Sequence, residues 1–291
     1  MLFRSIIRNP DYEVLRRRNI DALSAEERNQ FQNAIRIYTM NFQVERMNKN
    51  VLRQQQLPAV EIKAINIQRD AQDNILYNTP LSIEMSPSKM QGLQPILHLS
   101  IGCRVMLRIN LWTKKNLVNG AIGTVRDIVY KPNQRPPQNN PYVIIVHFPG
   151  YIGPQLLEQD AKIVPIFMHT KSVRKDNYRL TRQQFPLQLA YCITAHKSQS
   201  LQFDRAIVHL GREEKHLGST YVALSRVHAL QGLAFAHPLD FERLKEIKSN
   251  YTYKHRIETW RLLQNDQARQ TALTQLNLPR MDPLNRPNQQ R

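Results

Sequence analysis

Hydrophobic and polar positions change rhythm several times along this chain. Near the start, Ala34-Ile35-Arg36-Ile37-Tyr38 is a short apolar run that reads as a buried strand. Val44, Met47, Val51 and Leu52 then recur on one helical face, with Asn41 placed to cap that helix. Upstream, Ser24-Ala25-Glu26-Glu27 is a capping box that should open a short helix. A strand followed by a capped helix is an α/β unit. Residues 67–95 lose this regularity and carry Pro80, Pro87 and Pro95, which marks a connector or an insertion. From His98 the period becomes two: Cys103, Val105 and Leu107 alternate with Arg104, Met106 and Arg108. Asn119-Gly120 is a strong hairpin dipeptide ahead of the strand that ends at Val125. Tyr142 to Phe148 and Ala161 to Phe167 read as further strands, the first after the loop Lys131 to Pro137. Short strands with Gly and Pro turns and no helix signal suggest a small β-barrel.

After Pro186 the α/β rhythm returns. Leu189 and Ile193 have helical spacing, so Leu187 to Gln199 is expected to be a helix projecting polar residues from its last turn. Arg205 to Leu210 is a strand, Ser219 and Thr220 can cap a helix carrying Val222, Leu224 and Val227, and Gly232 to Ala236 is a last strand. The simplest topology is one α/β domain, 31–66 with 186–240, interrupted by an inserted region, 67–185, whose barrel core covers 97–170. Residues 1–30 form an N-terminal linker and helix. Residues 241–276 form a basic helical tail, with Phe241, Leu244, Ile247, Tyr251 and Ile257 near helical spacing. The Pro-rich stretch 277–291 is expected to be disordered.

Charge adds the next signal. The 291 residues carry 41 Lys and Arg against 23 Asp and Glu, a net charge of +18. Such an excess suits a polyanion, nucleic acid first; a solvated basic surface, a ribosomal-type protein or a membrane-surface protein has the same sign. The apolar fraction of 41% supports a packed core. No run of eighteen apolar residues is present, so no membrane span and no membrane partner are expected. The N-terminus, with Arg4 inside its apolar stretch, is a poor signal peptide. Two cysteines, Cys103 and Cys192, make neither a disulfide framework nor a zinc site, which points to a reducing compartment. No residues are assigned to a metal.

Two segments carry candidate chemistry. Thr194-Ala195-His196-Lys197-Ser198-Gln199 sets polar side chains directly after an apolar run. His196 and Lys197 are donors to phosphate oxygens, and Ser198 and Gln199 can bond sugar, phosphate or water. An ordinary polar helix end, its cations complementing the dipole, has the same composition. The second segment, Tyr221-Val222-Ala223-Leu224-Ser225-Arg226-Val227, puts one arginine among apolar and small residues. Its partner is either a phosphate, in arginine-finger fashion, or a carboxylate such as Asp204 or Glu213.

These segments resemble the fifth and sixth motifs of superfamily-one helicases. Arg36-Ile37-Tyr38-Thr39-Met40-Asn41, with Val44 and Asn48, resembles the fourth. Ile101 to Leu107, followed by Leu117 to Val125, is similar to the family's inserted SH3-like barrel. The four blocks keep the family's order over about residues 30 to 240, and match best the Pif-type DNA helicases and their Helitron relatives. The resemblance implies a RecA-like second motor domain interrupted by a small SH3-like β-barrel, with a helical basic C-terminal tail. It implies an ATP-dependent 5′-to-3′ DNA helicase, in which two RecA-like domains sandwich ATP and Mg2+ and move along single-stranded DNA. Arg226 would be the arginine finger and Arg36 a second phosphate contact. Thr194, His196, Lys197, Ser198 and Gln199 would touch the nucleic acid, while Gln199, Tyr221 and Ser225 would couple that contact to ATP. Relatives act in DNA repair, recombination, telomere maintenance and transposition, so a nuclear location is expected, with mitochondrion or cytoplasm as alternatives. Ser200 stands where family members usually have Gly.

The sequence also lacks what such an enzyme needs. None of its nine glycines precedes a lysine, so there is no P-loop. No Asp precedes a Glu, so there is no Walker-B-like pair for magnesium. The expectation is a C-terminal part, inactive alone, working with a P-loop domain that is missing or separate. A non-catalytic single-strand-binding protein is the alternative.

Overall fold

The computed structural model describes residues 9–72, 74–155, 160–199, 201–211 and 218–240. The expected tail, 241–276, the stretch 277–291, Ser200 and Glu213 lie outside them. In chain order the helices and first strands are α1 (Asn9–Arg16), α2 (Ala25–Asn29), β1 (Ile35–Tyr38), α3 (Asn41–Gln54), β2 (Val60–Lys63), β3 (Ile65–Arg69), β4 (Ile75–Tyr77) and α4 (Pro80–Ile83). There follow β5 (Ile96–Leu99), β6 (Arg104–Leu107), β7 (Ile122–Val129), β8 (Val143–His147), β9 (Ile163–Ile166), β10 (His169–Lys175) and β11 (Tyr178–Gln184). The last described elements are β12 (Leu187–Leu189), β13 (Cys192–Thr194), β14 (Ala206–His209), α5 (Ser219–Leu224) and β15 (Leu233–Phe235).

Four strands form a parallel sheet in the order β13-β1-β14-β15. A parallel sheet is buried on both faces, and these strands are accordingly near-continuous apolar runs. Ile35, Ile37, Ile193, Val208 and Phe235 pack on one face. On the other, Tyr38 and Cys192 lie under Val44 of α3, while Ile207 and Ala234 lie under Leu23 and Phe31. The capping box forms as expected: Glu27 N–H donates to Ser24 Oγ at 3.1 Å and Ser24 N–H to Glu27 Oε2 at 3.2 Å. Asn41 departs from expectation. It is the first helical residue of α3, behind Met40, and its side chain makes no cap. The working asparagine is Asn48, buried at 3% exposure. Its amide donates to the carbonyls of Leu189 and Cys192 at 3.2 and 2.9 Å, and its Oδ1 accepts from Cys192 N–H at 2.8 Å. One side chain thus pins α3 to β13.

A five-stranded antiparallel sheet, β12-β6-β7-β8-β9, stands where a small barrel was expected. Cys103, Val105, Leu107, Val125, Ile144, Val146 and Ile166 form its core. The turn at Asn119-Gly120 is present, with Gly120 at φ 101°, but it does not join neighbouring strands directly. It closes the base of a loop from 108 to 121, through bonds from Leu107 N–H to Ala121 O and from Gly120 N–H to Leu107 O, each 2.9 Å.

Two expectations are overturned. The region 67–95 does not lack regular structure: β3 and β4 join β10 and β11 in a four-stranded antiparallel sheet, whether the region is read as a connector or as an insertion. Leu187 to Gln199 is not a helix but two short strands, β12 and β13, that bend at Ala190-Tyr191 into different sheets. A four-residue spacing of Leu189 and Ile193 fits that bend as well as it fits a helical turn. Ladders to Val105 and Leu107 on one side and to β1 on the other decide for strands. Both cysteines are buried and free, and burial pushes each thiol up to about 11.

Candidate functional site

Because β13, β1, β14 and β15 are parallel, their carboxyl ends share one edge, which is where open α/β sheets bind ligands. β13 runs straight into a 3-10 turn, His196–Ser198. The turn is tied down locally. Lys197 N–H donates to Thr194 Oγ1 at 3.3 Å, and Ser198 Oγ donates to Ala195 O at 2.7 Å. Thr194 and Ser198 are buried, so their hydroxyls hold the turn, whereas His196 and Gln199 are exposed. Lys197 is half-buried and donates from Nζ to Gln188 Oε1 at 3.1 Å. Burial, helped by the nearby Arg108 charge and opposed by Glu45, brings its ammonium down to about 8.

The second segment begins at α5, which is shorter than expected. It ends at Leu224, and its N-cap is Gly218 in the left-handed region at φ 87°, not a Ser219 or Thr220 hydroxyl. Arg226 therefore lies just past the helix. Its Nε donates to Val222 O at 2.7 Å, its Nη1 to Ser198 O and Leu201 O at 3.2 Å each, and its Nη2 to Ser225 Oγ at 2.8 Å. Phe203 N–H donates back to Arg226 O at 2.8 Å. The guanidinium is met by neutral oxygens, and among the described residues it forms no ion pair with Asp204. It fastens the 194–203 segment to the end of α5, so the two candidate motifs form one unit. Ser225 belongs to the same unit, and Tyr221 is exposed on the outer side of α5. Nearby, Gly232 is required by close approach: a Cβ there would lie 2.1 Å from Asp204 O.

Arg36 engages other partners. It sits inside β1 opposite Ile207 and Cys192, with Nη1 3.3 Å from His209 Nε2. Tyr38, two residues on, stacks on His209 with ring centroids 4.0 Å apart, and His237 meets His209 edge-on at 5.9 Å. Burial, then Arg36 and His237, push the His209 imidazole down to about 3. His209 is therefore neutral and accepts from Arg36. Burial also pushes the Tyr38 phenol up to about 12. Sequence reading missed this cluster. Its signal was an Arg-x-Tyr strand and a Val-His strand end, which the register sets side by side as Tyr38 opposite His209.

No protein-family model matches the chain. It is 36% identical over 147 residues to the ATP-dependent DNA helicase PIF1 of Mus musculus, covering 50% of this chain and 19% of that protein. It is 30% identical over 202 residues to the helicase of the same name from Danio rerio, covering 69% of this chain and 27% of that protein. The chain thus spans about a fifth to a quarter of the length of these curated relatives. Among solved structures, Pif1 helicase from Candida albicans superposes with a TM-score of 0.58 at 21% identity, over 84% of this chain and 54% of that one. Pif1 helicase from Bacteroides, in complex with ADP-AlF3 and ssDNA, superposes with a TM-score of 0.53 at 23% identity, over 86% and 51%. At these identities the structural likeness speaks for the fold.

Proposed function

We propose, from the premise that this chain is a relative of the Pif1-type DNA helicases, that it is the second motor domain of an ATP-dependent 5′-to-3′ DNA helicase and binds single-stranded DNA. In this reading the RecA-like domain lies within 31–66 and 186–240, and its insertion is 67–185 together with β2, the start of β3 and β12, which pair with inserted strands; the five-stranded sheet serves as the SH3-like module. The observation that carries it is the Arg226 clamp, which holds the exposed His196 and Gln199 and the half-buried Lys197 in a fixed relation to α5. Backbone phosphates of a strand would meet His196, Lys197 and Gln199, with Thr194 and Ser198 shaping the turn. Tyr221 and Ser225 lie where a change around Arg226 would be passed on.

The residues present do not build a nucleotide and magnesium site by themselves. The sequence has no Gly-Lys pair, and the described residues hold no group of three or more His, Cys, Asp and Glu able to hold a metal. We therefore assign no hydrolytic step to this chain alone. Arg226 and Arg36 are the candidates for phosphate contact once a P-loop domain is supplied. A second reading, a non-catalytic single-strand-binding protein, is favoured by the commitment of Arg226 to backbone oxygens.

The test is fluorescence anisotropy with a labelled oligo-dT strand over a salt series, followed by ATPase assays with a matched P-loop domain. Binding that weakens steeply with salt, and ATPase that appears on mixing, support the motor reading. Binding without ATPase under any mixture leaves the binding protein. Absence of single-strand binding at low salt removes both.

A further inference from the structure

Arg108 stands where the five-stranded sheet meets the turn after β13. It extends the β6 ladder by one step past Leu107, donating N–H to Pro186 O at 2.8 Å. Side chains alternate along a strand, so Arg108 shares a side with Met106. Gln188 pairs with Met106 across the ladder and projects the same way. That side faces β13, because Met106 packs with Ala190 and Ile193. It also holds Lys197, whose Nζ donates to Gln188 Oε1 at 3.1 Å.

The Arg108 guanidinium has room there but no acceptor. Gly92 lies against it at φ 84°, and a Cβ at that position would come within 2.8 Å of Nε and 3.0 Å of Nη2. Nε is buried and meets no hydrogen-bond partner among the described residues. Burial holds the group below the ordinary arginine range. Two carboxylates stand nearest in the packed segments: Glu45, exposed on α3, and Glu84, exposed just after α4. Glu45 is the weakest of the three influences on Lys197, after burial and Arg108. Among the described residues neither carboxylate forms an ion pair with Arg108 or Lys197. Arg182 and Arg226 differ, because protein oxygens engage their guanidinium groups. An unmet donor on a buried cation costs free energy, and a second cation beside it adds to the cost. An oxyanion relieves both.

We propose that Arg108 is a phosphate subsite for a bound single strand, next to the phosphate met by Lys197. The proposal rests on the reading that the chain binds single strands, and carries the contact from the motor-domain turn onto the inserted sheet. A guanidinium suits the task because its fork matches phosphate oxygens. Free inorganic phosphate has the same chemistry, and the experiment separates the two.

The full chain is titrated with labelled oligo-dT over a salt series, and urea midpoints are read in parallel. Arg108→Met should weaken binding about tenfold or more at low salt, the loss of one charge-assisted contact. It should also flatten the slope of log K against log salt by about 0.7. The urea midpoint should hold or rise, since no protein bond is lost. Arg108→Lys should keep the slope and lose part of the affinity. Arg108→Gln reads the same slope if Arg108→Met does not fold. Unchanged affinity and slope, with wild-type binding intact, overturn the subsite and leave the reading beneath it standing. A lower midpoint with an unchanged slope marks a structural arginine and also overturns it. The strand assignment falls if Arg108→Met binds oligo-dT like wild type yet loses a stabilisation that inorganic phosphate gives the wild type over chloride at matched ionic strength. A wild-type chain that binds no single strand overturns both the subsite and the reading it rests on.

Discussion

Replacing Arg226 by alanine separates a clamp from a ligand contact. In the structure four of the five guanidinium N–H bonds are in use, on Val222 O, Ser198 O, Leu201 O and Ser225 Oγ. Hydrogen bonds from a charged donor are worth about 1.5–3 kcal/mol each when buried. This site is only partly buried, and water can replace some of what is lost, so about 2–3 kcal/mol in total is expected. With a urea m-value of about 2 kcal/mol/M, the unfolding midpoint should fall by about 1 M. Arg226→Lys keeps the charge but not the fork and should fall between the two. Urea unfolding followed by far-UV circular dichroism gives the midpoints. An arginine waiting only for a ligand would leave the midpoint where it was. An unchanged midpoint in Arg226→Ala would therefore refute the clamp, whatever happened to ATPase in a reconstituted pair.

Lys197 carries a pH prediction. Its ammonium is held down at about 8, so its burial costs stability below that pH, and the cost is relieved as pH rises from about 8 toward the ordinary value of 10.5. Strand binding runs the other way, because phosphate needs the charged form: affinity for oligo-dT should fall between pH 7 and pH 9. Lys197→Arg, charged throughout, should show little of that fall; equal pH profiles would count against Lys197 as a contact. Arg182 is fully buried and donates to Asn66 Oδ1 and to the carbonyls of Leu93, Ser82 and Ile83. Arg182→Met strands these acceptors and should cost roughly 3–5 kcal/mol, read as a lower thermal midpoint. A midpoint within a degree of wild type would contradict it.

Much of this fold was legible where one physical signal acted alone. β1, β14 and β15 were plain because strands buried on both faces are near-continuous apolar runs, interrupted in β1 by Arg36. The Ser24 box was plain because its chemistry is local. β10 and β11 were missed because their inward positions include Arg182 and Gln184, polar residues satisfied by partners about a hundred residues away. A pattern of apolar and polar letters cannot show that a buried arginine will find four acceptors. At the candidate site the two segments named from the sequence do come together. What failed was local form: a strand and 3-10 turn in place of a helix, set by pairing with β1. The Arg36–Tyr38–His209 cluster stayed hidden for the same reason, since its members meet only through the β1–β14 register.

The parallel sheet also has a history in time. Arg36 of β1 pairs with Cys192, 156 positions further on, and β1's other neighbour, β14, comes later still. The hairpins β3–β4, β7–β8 and β10–β11 close far shorter loops. By loop entropy alone, closing 156 residues instead of ten costs about 2.4 kcal/mol more before any contact repays it. Topology then places the candidate site late in assembly, after the intervening sheets have drawn its halves together. Slow-to-form hydrogen-exchange protection at Ile37 and Ile193, behind Val105 and Ile144, is the kinetic signature expected of a site whose two halves lie 156 positions apart along the chain.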